Sequence, residues 1–411
     1  LMGQSEREVI AYLQTPQAIR DRCQILFDLC CQDRLNHFAC DLERLDTVAD
    51  YAIATMREHY PHLDIPFHSR WRHFDAGEVP RLHQLAVQLA HLSPRDAVKA
   101  KLDLVVTSVL LDAGAGRDWQ YCEPSSGKTI ARSEGLAVAS YHLFCQGAFS
   151  ADPAWPFQVD AEGLLQLTEA DLRAGFQVSD ANPLVGIEGR LALLHSLGQA
   201  LQQQPHRFGT APARPGHLID ALTTGESETV SAASLLTEVL EGLGSIWPGR
   251  VELAGVNLGD VWPHSALTGE QPGEHLVPFH KLSQWLTYSL VEPLTEAGMT
   301  VSHLEALTGL AEYRNGGLCV DLGLLQPKHA AVLEQTHAPG SEVVVEWRSL
   351  TIVLLDRLAA RIRQKLGLSA DELPLMKVLE GGTWSAGRRI ARQLRPDGSP
   401  PIAIASDGTV F

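Results

Sequence analysis

Residues 346–367 read EWRSLTIVLLDRLAARIRQKLG. Trp347, Leu350, Leu354, Leu358 and Ile362 recur at helical spacing, charges lie between them, and Gly367 follows the last apolar position. One buried stripe on a 3.6-residue period, closed by glycine, is an amphipathic helix. The same signature recurs upstream. In SPRDAVKAKLDLVVTSVLLDAGAG, Ser93 stands at the N-cap, Pro94 at the first helical position and Asp96 in the first turn, and the glycines of DAGAG end the helix. EHLVPFHKLSQWLTYSLVEPL reads as mainly helical and buried, with Pro278 near its start. Strand signals are few: SEVVVEW at 341–347 and PPIAIASDGTVF at the C-terminus. The expected fold is mainly α with a few short β-strands. Residues 1–411 form one large globular unit, with a candidate lobe boundary in the Pro- and Gly-rich loop 205–216.

Composition narrows the function. The formal charge is -16, from 33 basic and 49 acidic residues, which argues against a general nucleic-acid surface. Seven cysteines, an odd number without CxxC, fit reduced thiols in a cytoplasm. No apolar run is long enough to span a bilayer. HExxH is absent and the 17 histidines show no ligand spacing, so no metal and no cofactor is expected. His73, His264 and His280 read as hydrogen-bonded or surface residues, and no GxSxG elbow supports a serine hydrolase.

Polar chemistry concentrates in a few stretches. HSRWRHFDAG (68–77) sets Arg70, Arg72 and His73 around Trp71 and Phe74. It fits an anion site with an aromatic wall, or a surface turn stapled by its aromatics. LLDAGAGRDWQY places Asp112 at the negative end of a helix, where a carboxylate needs a partner. Asp112 either faces a cleft, to bind a sugar hydroxyl or a cation, or closes a local turn. In ARSEGLAVAS, Ser133 is the expected N-cap, with Arg132 before it and Glu134 in the first turn. EGGTWSAGRRIARQL (380–394) reads as a glycine-rich turn opening a helix, where Gly381, Gly382, Thr383 and Arg388 would cradle a phosphate; the plainer alternative is a helix start beside a basic face. AEYRNGGLCVDLGLL (311–325) carries Glu312, Tyr313 and Arg314 at an expected helix end, then Gly316, Gly317 and Asp321. A carboxylate among apolar neighbours has a raised pKa unless an arginine pairs with it, and Arg314 is the nearby candidate. With no metal or serine motif, a hydrolytic site here relies on carboxylates, which suits cleavage of a glycosidic or N-ribosyl bond.

Several segments together resemble an uncharacterised-domain family linked to the Urc-type route of uracil catabolism, which uses a GTP cyclohydrolase II-like partner. They are SRWRHF, VLLDAGAG, ARSEGLAVAS, AEYRNGGL, EWRSLTIVLLD, GGTWSAGR and the terminal SDGTVF, spread from about residue 68 to 411. The resemblance implies a place in a pathway where uracil, made into its ribonucleotide and ring-opened, leaves urea attached to a sugar. LTGLAEYR also resembles the ADYR-type motif of the queuosine-nucleoside N-glycosylase (queuosine salvage) family, with Glu312 where that motif has Asp. That likeness implies a helical N-glycosylase-like architecture.

The resulting expectation is an N-ribosyl hydrolase acting on a ribosyl or 5-phosphoribosyl ureide. Asp321, Glu312 and Asp112 are the catalytic candidates. Arg70, Arg72, Arg132, Arg314 and Arg388 are candidate phosphate or urea contacts, and Trp71, Trp119 and Tyr313 candidate pocket walls. His73, Glu134, Gly382 and Thr383 complete the substrate-binding set. The partner is a small phosphorylated sugar or nucleotide-derived substrate, without nucleic acid or membrane. A non-catalytic ligand-binding or scaffold protein of the same pathway is the alternative.

Overall fold

The structure, a computed structural model, describes residues 4–223 and 228–405. SDGTVF (406–411), which carries part of the resemblance and of the C-terminal strand signal, lies outside the described residues. The fold is mainly α. Among the described residues, strands are two or three residues long and join only in pairs. No helix among them is long and apolar enough to cross a membrane.

The chain divides into two compact units and passes between them at 68/69, 248/249, 284/285 and 303/304. Residues 205–216 lie inside the second unit.

In the first unit, the Glu342–Leu366 helix is the spine. Leu350, Leu354, Leu358 and Ile362 are fully buried, and the helix packs on Pro16–Cys31 and Leu45–His59. Gly367 closes it at φ 67°, a left-handed conformation that costs glycine little. The helix reaches further back than its amphipathic stripe. SEVVVEW, expected as a strand, forms its N-cap and first turns. Three consecutive buried valines look like a strand because that helix end is covered on all sides, and tertiary burial overrides β-branched preference.

Two further segments of this unit depart from expectation. Leu276–Pro278 is a strand, paired with Val261–Pro263, and the following helix begins only at Lys281. Residues 380–383 form no turn: Val378–Thr383 is a π-helical segment running directly into the Trp384–Leu394 helix.

In the second unit, Ser93 caps the Pro94–Leu110 helix as expected, its hydroxyl accepting from the Asp96 N–H. That helix is buried nearly all round and packs on Arg132–Cys145. Ser133 is not the N-cap of Arg132–Cys145; Ala131 holds that position without a side-chain bond. Arg132, at φ 60°, makes a left-handed step out of the Thr129–Ala131 strand, which frees Ser133 for another task.

Candidate functional site

In the second unit, Arg70, Asp112, Ser133 and His73 come together. Arg70 lies in the short Arg70–His73 helix and is fully buried. Its backbone N–H donates to Ser289 Oγ (2.9 Å), which anchors the turn. Its side chain is held from three sides. Nε donates to Ser108 Oγ (2.7 Å), and Nη1 donates to Asp112 Oδ1 (2.8 Å) and to the Ser133 carbonyl (2.8 Å). Ser140 Oγ donates to the Ala137 carbonyl, so Ser108 must donate to Ser140, leaving its own oxygen for Arg70. Burial pushes the Arg70 guanidinium down, opposed first by the Asp112 carboxylate and then by Glu134.

Ser133 Oγ donates to Asp112 Oδ1 (2.6 Å), accepts from Arg70 Nη1 (3.1 Å) and meets His73 Nδ1 (3.2 Å). A hydroxyl has one proton, and Asp112 takes it. His73 Nδ1 is therefore the donor in its contact, and Ser133 is a saturated linker rather than a nucleophile.

Two atoms of this cluster stay open. Among the described residues, no hydrogen bond reaches Asp112 Oδ2, and the side chain is 10% exposed. Arg70 Nη2 is buried without a hydrogen-bond partner among the described residues, an expensive arrangement for a guanidinium nitrogen. The Trp285 ring lies 5.6 Å from the Arg70 guanidinium and 5.7 Å from the His73 ring.

Asp112 tolerates the negative helix end because a second buried guanidinium neutralises it. Arg190 donates to the carbonyls of Leu111, Ala113 (2.9 Å) and Gly114 (3.0 Å), and burial pushes it down to about 10. Arg190 was missed from sequence. Its signal was there: it shares the stripe of Ile187, Leu194, Leu197 and Leu201, all buried, and a lone charge on an apolar stripe marks a buried partner.

The other candidates of this unit have different surroundings. Arg72 is exposed and pairs with Glu292 (2.7 Å). Trp71 is buried edge-on to Phe74 (5.9 Å). Trp119 is fully buried, donates Nε1 to the Phe176 carbonyl (2.9 Å) and packs against Gly135, so it is a core residue rather than a pocket wall. Arg132 and Glu134 occupy the first turn of the helix that carries Ser133.

The remaining candidates belong to the first unit. Glu312 begins a helix rather than ending one. It is the N-cap of Tyr313–Asp321, accepting from the N–H groups of Arg314 (2.8 Å) and Asn315 (2.5 Å), one on each oxygen. Arg314 is buried, donates to the Gly398 carbonyl (2.8 Å) and lies 5.3 Å from the Tyr313 ring. Asp321 pairs not with Arg314 but with Arg395, through two parallel bonds of 2.9 and 2.6 Å. Its charge is thus balanced by a partner far along the chain.

The expected phosphate cradle is a packing surface. A Cβ on Gly381 would meet Ile65 at 2.8 Å and one on Gly382 would meet Met56 at 3.0 Å. Thr383 is buried and donates to Asn315 Oδ1 (2.8 Å). Gly316, read as a hinge, is helical and lies where a Cβ would meet Trp347 at 2.7 Å. Arg388 stacks over Trp384 (4.6 Å) at a cavity of about 390 Å³ that Arg389, Arg392, Glu58 and His59 also line. His68, 2.7 Å from Glu380 and 5.3 Å from Trp384, was not singled out from sequence.

Comparison with known proteins adds three findings. A family model described as "Protein of unknown function (DUF1688)" matches residues 12–411. "Protein urg3" of Schizosaccharomyces pombe (strain 972 / ATCC 24843) is 40% identical over 413 residues, covering 98% of this chain and 99% of that protein. "Uracil catabolism protein 4" of Lachancea kluyveri is 40% identical over 437 residues, again covering 98% and 99%.

Proposed function

The chain belongs to the DUF1688 family, and from that premise we propose that it acts in uracil catabolism, as the name of its Lachancea kluyveri relative states for that protein, by hydrolysing the N-ribosyl bond of a ribosyl or 5-phosphoribosyl ureide. Water adds to the anomeric carbon and the carbon–nitrogen bond breaks. The electron pair leaves on the urea nitrogen, which takes a proton. The products are urea and ribose, or ribose 5-phosphate.

The observation that carries this proposal is Asp112. Of the three carboxylates singled out, Glu312 spends both oxygens on a helix cap and Asp321 spends both on Arg395. Asp112 is held through Oδ1 alone, and among the described residues its Oδ2 accepts no hydrogen bond. A carboxylate fixed in this way can accept hydrogen bonds from ribose hydroxyls or stabilise positive charge at an oxocarbenium-like centre. Arg70 Nη2 is a second atom of the cluster without a hydrogen-bond partner among the described residues.

The test is urea release by the purified chain from ribosylurea and from phosphoribosylurea. Wild type is expected to turn over one of them. Asp112→Asn is expected to lose about 100-fold or more in kcat while remaining folded, the scale of losing one electrostatic contact to the transition state. Binding of either ligand without urea release refutes the hydrolase and leaves the ligand-binding alternative.

A further inference from the structure

Several buried or half-buried carboxylates, Asp112, Glu123, Asp260 and Asp321 among them, pair with an arginine. Glu342 and Glu346 do not: among the described residues, neither pairs with any Lys or Arg. They stand one turn apart on the same face of the Glu342–Leu366 helix. The helix dipole favours Glu342 in the first turn but fades before Glu346.

Imidazoles surround them instead. His37 Nε2 lies 3.5 Å from Glu342 Oε1, longer than a formed N–H···O bond. His37 Nδ1 meets His329 Nε2 at 2.8 Å, so one proton is shared between the two rings there. With that proton on His37 Nδ1, its Nε2 presents a bare lone pair toward the carboxylates.

Glu346 is braced for the same purpose. Its Oε1 accepts the N–H groups of His37 (3.0 Å) and Phe38 (2.8 Å). His264 Nδ1 accepts from the Ala266 N–H (3.0 Å), so Nε2 carries the proton and donates to Glu346 Oε2 (3.1 Å). Three of its roughly four acceptor positions are filled and one on Oε2 remains. Burial pushes Glu342 up, but the Ser265 hydrogen bond and the imidazoles of His264 and His37 outweigh it and hold the carboxyl below its ordinary value.

We propose that His37, Glu342 and Glu346 bind a divalent transition-metal ion of the zinc class, with His329 and His264 orienting the ligands. One donor atom from each of the three lies within 4.8 Å of the others. The 3.5 Å between His37 and Glu342 matches the edge of a tetrahedron with bonds of about 2.1 Å, roughly 3.4 Å. One imidazole with two carboxylates suits Zn²⁺ or Co²⁺ better than Mg²⁺, which prefers oxygen alone. The second partners of His37 and Glu346 are those a metal site uses to fix tautomer and orientation. This site is independent of the proposed hydrolase reaction.

The experiment is titration of chelator-treated full chain with Zn²⁺ by calorimetry, and with Co²⁺ by absorption. Expected is one ion per chain, with a Co²⁺ spectrum free of a thiolate charge-transfer band. His37→Gln and Glu342→Gln should each weaken binding by more than about 100-fold, and His329→Gln by roughly 10–100-fold, the usual effect of an outer partner. His37 and Glu342 are half-buried at one helix end, so both variants should keep the wild-type circular dichroism, and Zn²⁺ should raise Tm in wild type alone. Absence of stoichiometric binding, a thiolate band, or unchanged affinity in His37→Gln and Glu342→Gln would each overturn the proposal.

Discussion

Removing the charge of Asp112 tests the central pair of the candidate site. Asp112→Asn keeps the shape of the side chain and an Oδ1 acceptor for Arg70 Nη1 (2.8 Å) and Ser133 Oγ (2.6 Å). What disappears is the negative charge beside a guanidinium that has no exposed surface. Two unit charges about 4 Å apart interact by about 4 kcal/mol at an effective dielectric of 20. Breaking a buried pair from one side costs about 3–5 kcal/mol, because the surviving charge stays buried. Asp112→Asn should therefore destabilise by about 3 kcal/mol. Arg70→Met leaves a carboxylate that still reaches solvent through its 10% exposure, and should cost about 2 kcal/mol. In the double variant neither charge is stranded, so the cycle should show a coupling of about 2 kcal/mol. The assay is equilibrium urea denaturation at pH 7, with coincident fluorescence and circular-dichroism transitions. Effects that add to within about 0.5 kcal/mol would refute the claim that Asp112 is the counter-charge of Arg70.

Other outcomes follow from the same geometry. Glu123 is fully buried and held down to about 2, first by its two bonds to Arg81, against burial and with help from Ser126 and His142. A depressed carboxyl stabilises above its ordinary value and loses that contribution as pH falls. Wild type should lose about 3 kcal/mol between about pH 4.5 and pH 2, and Glu123→Gln should lack this dependence in acid-unfolding curves. Gly387→Ala places a Cβ 2.1 Å from the Arg314 carbonyl oxygen and should destabilise by about 1–3 kcal/mol in denaturant melts. Gly244→Ala, at φ -58° with nothing within 4 Å, should be neutral or gain about 0.4–1 kcal/mol. A native thiol titration at pH 8, resolved by mass spectrometry, should label exposed Cys122 and Cys31 and spare Cys23 and Cys319, whose burial pushes both thiols far up.

The long helices were legible because their signals are local. Ser93 and Pro94 open one, and Gly367 closes another. The errors fell where tertiary burial outweighs local preference. Val343–Val345 are helical because the helix end is enclosed, and Gly381 and Gly382 serve neighbouring side chains rather than a ligand. Arg70 and Asp112 were each singled out, but nothing in the sequence joins them. Charge partners lie at long range: Asp321 finds Arg395 instead of the nearby Arg314. His37 and Glu342 are likewise brought together only by folding, which spacing in the sequence does not show.

The π-helical segment Val378–Thr383 fixes more than its own six residues. A π turn holds about one residue more than an α turn, so it acts as a built-in insertion. Everything C-terminal to it in the same continuous helix inherits the offset. Loss of a single residue between 378 and 383 would turn the Trp384–Leu394 face by about 100°. Arg388 and Arg392 would move into the places now held by Gly387 and Ala391, which are buried. In a set of homologues, length in this segment should therefore be held more strictly than residue identity.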